Sequence, residues 1–461
     1  MLKVVLPGGY KQEKEYICKI LLGDFLGLEY AIEYKSNSDF IELQYEIKSL
    51  YVREAFFKTV EKDWLTVKSL PRKITSYIDC KKHFEEYRGQ EMLPVIFGSN
   101  TVKYTNNATY IDVDIFGSCF FMLTRYEEYV IKKRDNLDRF EYKESFAYKN
   151  SFLDRPIVNE YLELLWCGIR MIAPDLERRK RKYAVIPTHD IDKPFGILYD
   201  SNLQIIRHFI GDIVYKRGLT TVVDRIKHLK YKYLHKDVCI NEGNGVIDFI
   251  IDASRKYGLK DVFYFMNSKQ TLYDGNYYVD YPDLIKMIEK IIYHGHSVGL
   301  HPSYNSYLNM ETICSENKAL VQIVDKLSTK GVFGGRQHYL RWSNPETWRA
   351  YEYVGLKSDS TLTFAGYAGF RCGVCYPYKV YDLVERRIID VVERPLIVMD
   401  GTLFEYMKLS NEEALEICIG LAEQCKKYDG EFIFLWHNTM LYDKGKKAFY
   451  IKLLESVTNG K

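Results

Sequence analysis

The short stretch Thr188-His-Asp-Ile-Asp192 holds three side chains that can carry protons or bind a metal. The apolar run Tyr183-Ala-Val-Ile186 leads directly into it and predicts a buried strand. Because an unpaired buried carboxylate is costly, either a cation lies beside these aspartates or they work at the open end of a sheet or barrel. Asp190 and Asp192 are two positions apart, so on a strand they point the same way and can share one bound water.

The elements that must position these carboxylates alternate regularly from residue 183 onward. Apolar strands are predicted at 183–188, 261–266, 297–301, 333–339, 356–360, 396–400 and 431–437. Helices are predicted between them, from their periodicity, at 246–257, 281–294, 315–330, 345–354 and 411–428. This alternation implies parallel strands joined by crossover helices, and seven strands fit a barrel better than an open sheet.

Polar side chains lie at the ends of several of these strands. In α/β barrels the carboxyl ends of the strands meet on one face, where active sites lie. One strand-end histidine is more often a structural residue, but five strands in agreement indicate a functional site. The polar residues at these strand ends are Asp190, Asp192, His301, His338, Tyr339, Asp359 and His437.

Five short motifs resemble, in the same order, those of the polysaccharide deacetylase family, the NodB-homology group of carbohydrate esterases. They are Thr188-His-Asp-Ile-Asp192, residues 295–305 (GHSVGLHPSYN), Arg336-Gln-His-Tyr339, Asp359-Ser-Thr361 and Leu435-Trp-His437. The resemblance covers roughly residues 183–440 and implies a distorted (β/α)7 barrel that holds a divalent metal, usually zinc. The first two motifs are similar to those of bacterial deacetylases with an extra N-terminal domain, which are linked to lipopolysaccharide or capsule assembly.

The resemblance also implies a role for each motif residue. Asp190 would be the base and Asp192 a metal ligand, although the family usually has adjacent aspartates where this chain has the spacer Ile191. A divalent metal can polarise a carbonyl and lower the pKa of a bound water to about 7. The resemblance further implies that His301 and Asn305 are metal ligands and that Arg336 pairs with the base. The Tyr339 N–H would be the oxyanion donor. His437 would be the general acid, and Asp359 would tune the pKa of His437.

Asn305 departs from the family pattern, in which a second histidine follows the first by four residues. An amide oxygen is a weaker zinc ligand than imidazole. The site would then bind metal weakly, prefer a harder ion, recruit another ligand, or have lost its metal. His296 is five residues from His301, so on a strand it faces the other way.

The chain divides near residue 180, at the charge run Asp175-Leu-Glu-Arg-Arg-Lys-Arg-Lys182. We predict a smaller α/β (α+β) N-terminal domain at 1–180, in which residues 114–128 resemble the extra domain of the bacterial deacetylases. The barrel would occupy 181–461, with a basic helical insertion at 196–242. Residues 201–240 carry eight Lys or Arg against three Asp, which suits either a solvated helix face or an anionic partner.

Composition excludes several classes of protein. The chain has 461 residues, 47% hydrophobic and 28% charged, as in a soluble globular protein, and its net charge of +3 argues against nucleic-acid binding. It shows neither a secretory signal at the N-terminus nor a run of about 18 apolar residues. Ten scattered cysteines are then expected to be reduced, so we predict a cytoplasmic protein, peripheral at most to the inner membrane.

The sequence thus predicts a metal-dependent hydrolase that removes an N-acetyl group from a sugar during surface-glycan biosynthesis. Its substrate would be an acetylated sugar, a nucleotide-sugar or a lipid-linked glycan. Three alternatives stay open: an O-deacetylase or deformylase on the same barrel, a metal-free carbohydrate-binding relative, and a scaffold for a glycan-assembly complex.

Overall fold

The computed structural model describes residues 1–35, 38–196, 198, 236–269, 271–327 and 331–458. Most of the predicted basic insertion at 196–242 therefore lies outside the described residues. None of the helices in the described part of the chain is long and apolar enough to cross a bilayer.

The N-terminal part is built on a mixed six-stranded sheet with strand order β2-β1-β3-β4-β8-β7. Its strands are β1 (Leu2–Pro7), β2 (Tyr30–Lys35), β3 (Phe40–Tyr45), β4 (Lys48–Arg53), β7 (Gly98–Tyr104) and β8 (Ala108–Val113), and a separate pair is formed by β5 (Tyr77–Asp79) and β6 (Met92–Pro94). The helices are α1 (Lys11–Cys18), α2 (Cys80–His83), α3 (Ile115–Leu123), α4 (Tyr126–Val130), α5 (Phe146–Lys149) and α6 (Ile157–Ile172).

The C-terminal part contains a five-stranded parallel sheet of order β11-β10-β9-β16-β15 and a three-stranded sheet of order β12-β14-β13. The strands are β9 (Ala184–Ile191), β10 (Val262–Phe265), β11 (Ser297–Leu300), β12 (Ser358–Asp359), β13 (Tyr378–Asp382), β14 (Arg387–Glu393), β15 (Val398–Met399) and β16 (Glu431–Leu435). The helices are α7 (Lys236–Tyr257), α8 (Pro282–Tyr293), α9 (Met310–Leu327), α10 (Glu346–Val354), α11 (Asn411–Lys427) and α12 (Lys444–Thr458).

The predicted fourth strand, at residues 333–339, is formed only in its first half. Gly335 bridges Leu300 of β11 and Asp359 of β12, and the N–H groups of Phe333 and Arg336 donate to carbonyls of residues 298 and 300. Residues 338–340 instead turn as a short 3-10 segment. The two sheets are thus joined through the short segment 333–336, and residues 337–341 leave the sheet to form a loop at its edge.

The register of the parallel strands brings their carboxyl ends to one edge. Ile191 pairs with Phe265, and Phe265 pairs with Leu300 on the next strand. On the other side of β9, Thr188 pairs with Leu435, which in turn pairs with Met399. The residues that directly follow these pairs therefore lie together at this edge, as expected for parallel strands.

The two parts of the chain share one hydrophobic core, which includes side chains from both sheets. Backbone groups also pair between the two parts, because the Val158 N–H of α6 donates to the Gly373 carbonyl. A second, smaller cluster lies inside the parallel sheet and consists of Leu340, Leu396, Met399, Ile433 and Leu435. This small cluster forms the floor beneath the polar edge.

Candidate metal and hydrolytic site

A cavity of about 470 Å³ opens at the carboxyl edge of the parallel strands. Apolar side chains from the small inner cluster line part of it, including Leu340 and Leu435. Its polar lining comes from the ends of several strands and from three loops. The acidic, basic and histidine residues of the lining are Arg139, Asp190, Asp192, Lys193, Asp274, His301, His338, Asp400, Glu405 and His437.

Three of these side chains are grouped as metal ligands would be. One ligand atom each from Asp192, His301 and His338 lies within 4.8 Å of the other two. The His301 Nε2 atom is 3.3 Å from Asp192 Oδ1, and the His338 Nε2 atom is 3.7 Å from the same oxygen. Burial alone would raise the pKa of Asp192, but the adjacent imidazoles of His301, His338 and His437 hold it well below its usual range.

Two observations show that this group fits a metal ion. The buried atoms Asp192 Oδ1 and His301 Nε2 make no hydrogen bond to any residue that the structure describes, although such atoms are normally satisfied. The other ring nitrogen of His301, Nδ1, donates to the Arg336 carbonyl at 2.6 Å, which leaves the Nε2 lone pair facing the cluster. One carboxylate and two imidazoles are the donors of three-ligand zinc sites that keep an open position.

The third member of the cluster differs from the sequence prediction. Asn305 does not face the cluster, because its exposed side chain accepts a hydrogen bond from Arg341 Nη1 at 3.2 Å. His338 lies where the second imidazole was expected. Asp274 Oδ1 is 3.9 Å from the far ring nitrogen of His338, close enough to favour one orientation of the ring. The site therefore has two imidazoles, those of His301 and His338, although position 305 is an asparagine.

Asp190 is paired with a buried arginine and lies beside the metal cluster. Arg336 Nη1 donates to Asp190 Oδ1 at 3.1 Å, and the guanidinium is fully buried. The same guanidinium donates to Thr188 Oγ1 at 2.8 Å and to the Ser360 carbonyl at 2.9 Å, so its orientation is fixed. The other oxygen of Asp190 is 3.7 Å from His301 Nε2. Asp190 is therefore oriented by Arg336 towards the atoms that would hold a metal.

His437 faces the same cavity from the end of β16, with its Nε2 atom 3.9 Å from Asp192 Oδ2. Asp400 accepts hydrogen bonds from the His437 Nδ1–H at 2.6 Å and from the His437 backbone N–H at 2.7 Å. Burial alone would lower the pKa of His437, but the Asp400 carboxylate outweighs burial and raises it to about 10. Asp400 thus orients the imidazole with Nε2 towards the cavity and favours its cationic form.

Asp359 does not take the position predicted for it. It lies outside the cavity lining, where its carboxylate accepts hydrogen bonds from Trp348 Nε1 at 3.1 Å and from the Thr361 N–H at 3.0 Å. Burial raises the pKa of Asp359 to about 6. Asp400, and not Asp359, is the carboxylate that contacts His437. Asp359 instead pairs with Gly335, the residue that precedes Arg336.

Tyr339 lines the cavity in an unusual backbone conformation. Its φ is 59° and that of Leu340 is 58°, two consecutive non-glycine residues in the left-handed region. Such residues cost about 1–3 kcal/mol each and persist only where neighbours hold them. The turn brings the Tyr339 backbone, which the sequence predicts to be the oxyanion donor, to the cavity wall beside His338.

Sequence reasoning did not assign roles to three residues of the cavity. His338 lies inside the motif Arg336-Gln-His-Tyr339, and Asp400 ends the predicted sixth strand, so the rule of polar strand ends could have identified both. Asp274 lies in a loop between β10 and α8 and carries no such signal.

Comparisons with known proteins are as follows. Residues 2–174 match the model of a family of unknown function (DUF7033). No curated protein gave a significant match. Among solved structures, a candidate polysaccharide deacetylase from Mycobacterium smegmatis is 14% identical and covers 61% of this chain and 86% of its own, with a TM-score of 0.41.

Two further structures are less similar. A family 4 carbohydrate esterase from Streptomyces lividans in complex with acetate is 12% identical, with 46% of this chain and 81% of that chain covered and a TM-score of 0.28. The chitin deacetylase of the fungus Colletotrichum lindemuthianum is 10% identical, with 46% and 75% covered and a TM-score of 0.29. Because these scores are low, we base the function proposed below on this chain's own residues.

Proposed function

We propose that the protein is a metal-dependent hydrolase that removes an acetyl group from an acetylated sugar. One observation carries this proposal: Asp190, the cluster of Asp192, His301 and His338, and His437 converge in one cavity. Hydrolysis of an acyl group needs a base, an electrophile and an acid within reach of one carbonyl. The cavity supplies a candidate for each.

Asp192, His301 and His338 would hold the cation, and their donor set favours zinc. When bound, a divalent cation would polarise the acyl carbonyl and lower the pKa of a water molecule there. The ligand set does not include Asn305, so the concern that an amide oxygen weakens the site does not apply to this arrangement.

The chain's own residues can carry the proton transfers. Asp190, oriented by Arg336, would accept the proton of the attacking water at its outer oxygen. His437, held as a cation by Asp400, would donate its Nε2 proton to the leaving nitrogen or oxygen of the sugar. The Tyr339 N–H is our candidate donor to the developing oxyanion. These roles place the base beside His301 and the acid beside Asp192 of the metal cluster.

The sequence motifs support a finer proposal. We infer an N-acetylated sugar as substrate, a NodB-type barrel formed by residues 181–461, and a place in surface-glycan assembly, because the five motifs resemble those of such deacetylases. The row of strands β15, β16, β9, β10 and β11, continued through Gly335 to β12, is consistent with a distorted barrel.

The test is acetate release from acetylated oligosaccharides. Chelator-treated protein and protein reloaded with zinc are incubated with N-acetylated chito-oligosaccharides and with O-acetylated xylo-oligosaccharides. We expect release only after reloading, and the preferred substrate separates amide from ester hydrolysis. Absence of release from both substrates with zinc, cobalt and magnesium would contradict the proposal.

A further inference from the structure

A loop of the N-terminal part reaches the cavity. Asp135 organises it, because its Oδ1 atom accepts hydrogen bonds from the Leu137 and Arg139 N–H groups, both at 2.9 Å. Its Oδ2 atom accepts from Arg139 Nε at 2.8 Å. The Arg139 side chain, only 11% exposed, extends from this loop into the cavity lining. The cavity thus includes a residue that lies outside the parallel sheet in both sequence and topology.

Arg139 bridges two tyrosines at the cavity mouth. Its Nη1 atom donates to the Tyr339 carbonyl at 3.3 Å and to the Tyr406 hydroxyl at 3.2 Å. The guanidinium also lies over the Tyr406 ring, at 5.6 Å from its centroid. Both tyrosines line the cavity, with exposed fractions of 37% for Tyr339 and 44% for Tyr406. Exposed rings at a cavity mouth can stack on a sugar ring.

The same loop holds the left-handed turn at Tyr339 and Leu340 from a second side. Arg341, which follows the turn, donates from Nε to the Leu137 carbonyl at 2.9 Å. The turn is therefore bound to the N-terminal loop at two points, through the carbonyl of Tyr339 within it and through the side chain of Arg341 after it. A backbone conformation that costs free energy needs such contacts to persist.

The hydrogen bonds of Arg139 argue against a direct role in binding an anion. A guanidinium has five N–H donors, and those of Arg139 are directed to Asp135, the Tyr339 carbonyl and the Tyr406 hydroxyl. Its charge is paired with Asp135 at 2.8 Å. Such an arginine is suited to fixing its neighbours in place.

We propose that Arg139 is a positioning residue of the hydrolytic site, which fixes the Tyr339 turn and the Tyr406 ring so that the cavity mouth accepts a sugar. The N-terminal part would then complete the substrate site of the C-terminal part. This inference rests on the hydrolase proposed above, and it adds that recognition of the sugar beyond the acetyl group depends on residues 135–139.

The first test does not require activity. Hydrogen exchange is followed in peptides that cover residues 337–341 and 402–406 in the wild type, in Arg139→Ala and in Arg134→Ala. Arg134 is a matched control, because it lies in the same segment and bonds to the Glu128, Ile131 and Lys133 carbonyls without lining the cavity. We expect faster exchange in both peptides for Arg139→Ala alone. Unchanged exchange, or equal acceleration in Arg134→Ala, would overturn the proposal.

The second test separates positioning from general destabilisation. KM and kcat are measured with N-acetylated chitotetraose and with 4-nitrophenyl acetate, which is too small to span the mouth. Loss of a charge-assisted hydrogen bond should raise KM for the tetrasaccharide roughly tenfold in Arg139→Ala and less in Tyr406→Phe. The KM for the small ester and the zinc affinity should stay within about twofold.

An equal rise of KM for both substrates, or a KM for the tetrasaccharide that does not change, would contradict a positioning role. If the wild type hydrolyses neither substrate, the proposed hydrolase function fails, and the exchange experiment still decides whether Arg139 holds the turn.

Discussion

Asp190 and Asp192 are separated by a single residue, yet they meet different partners. Asp190 faces the guanidinium of Arg336, whereas Asp192 faces the imidazoles of His301 and His338. A carboxylate fixed by an arginine is suited to accept a proton, and one surrounded by imidazoles is suited to bind a cation. These contacts support the division of roles that we propose for the two aspartates.

The first prediction separates these roles. Asp190→Asn should lower acetate release by about 10²- to 10⁴-fold, because a general base is removed. Zinc affinity, measured by calorimetry, should change little because no ligand is lost. Asp192→Asn is the matched comparison and should lose zinc binding. If Asp190→Asn loses the metal and Asp192→Asn keeps it, the two roles are reversed.

The second prediction concerns the third ligand. His338→Ala should weaken zinc binding by more than about 100-fold, because outer hydrogen-bond partners alone cost about 10- to 100-fold. Asn305→Ala should leave zinc affinity unchanged, since Asn305 bonds to Arg341 away from the cluster. Titration of zinc into chelator-treated variants measures both constants. A larger loss in Asn305→Ala would restore Asn305 as the ligand and contradict the cluster described above.

Among the secondary-structure elements, strand β9 is held in place by a buried polar network on the side that faces away from the cavity. His189 Nδ1 donates to the Trp436 carbonyl at 2.9 Å, and its Nε2 atom lies 3.3 Å from Asp261 Oδ2. Ser254 of α7 donates to the same Asp261 oxygen at 2.7 Å. His189 therefore does not line the cavity, and it ties β9 to its neighbours while Asp190 points the other way.

The third prediction concerns how stability depends on pH through Glu316 of helix α9. This helix packs beside strand β11, which His301 directly follows. Its Glu316 accepts a hydrogen bond from the Ser303 N–H at 3.0 Å, and burial raises the pKa of Glu316 to about 7. The folded state therefore favours the neutral acid. The free energy of unfolding should be highest below pH 4.5 for this group and should fall as pH rises through 7.

Glu316→Gln should remove this dependence. At pH 8 we expect the metal-free variant to be more stable than the wild type by up to about 3 kcal/mol, measured by urea unfolding. Glu311→Gln, on the exposed first turn of the same helix, is the control and should have no such effect. A Glu316→Gln variant that is less stable at pH 8 would show that the ionised carboxylate is the stabilising form.

At the scale of the whole molecule, the two parts of the chain are joined by a buried ion pair. Glu128 of α4 accepts hydrogen bonds from Arg371 Nε at 2.9 Å and from Arg125 Nε at 2.9 Å. Burial alone would raise the pKa of Glu128, but the two arginines outweigh it and lower it to about 2. The stabilisation from this group is therefore present above pH 4.5 and lost as pH falls through 2.

The fourth prediction is that Glu128→Gln lowers the free energy of unfolding at pH 7 by about 3–5 kcal/mol, because it leaves buried arginines unpaired. Urea unfolding followed by tryptophan fluorescence measures this loss. Glu144→Gln is the control, because its partners Lys133 and Lys149 are at the surface and such pairs contribute about 0–1 kcal/mol. Similar losses in both variants would mean that the buried pair does not join the two parts as described.

The alternation of strands and helices, and most of the residues at the polar edge, could be predicted from the amino-acid sequence alone. Apolar periodicity reflects which side chains are buried, so it located β9, β10, β11, β15 and β16 closely. The rule that parallel strands end at one edge then predicted that Asp190, Asp192, His301 and His437 lie together, and the structure places all four in one cavity.

The pairs of side chains that face one another across that edge could be identified only from the packing of the folded chain. His338 replaces Asn305 because the chain leaves the sheet after Arg336 and turns through two left-handed residues. Asp400 replaces Asp359 as the partner of His437 because β15 is paired directly with β16, whereas β12 lies in the other sheet. Arg139 reaches the cavity from 200 residues before Tyr339. Such contacts depend on the packing of distant segments, which local periodicity does not record.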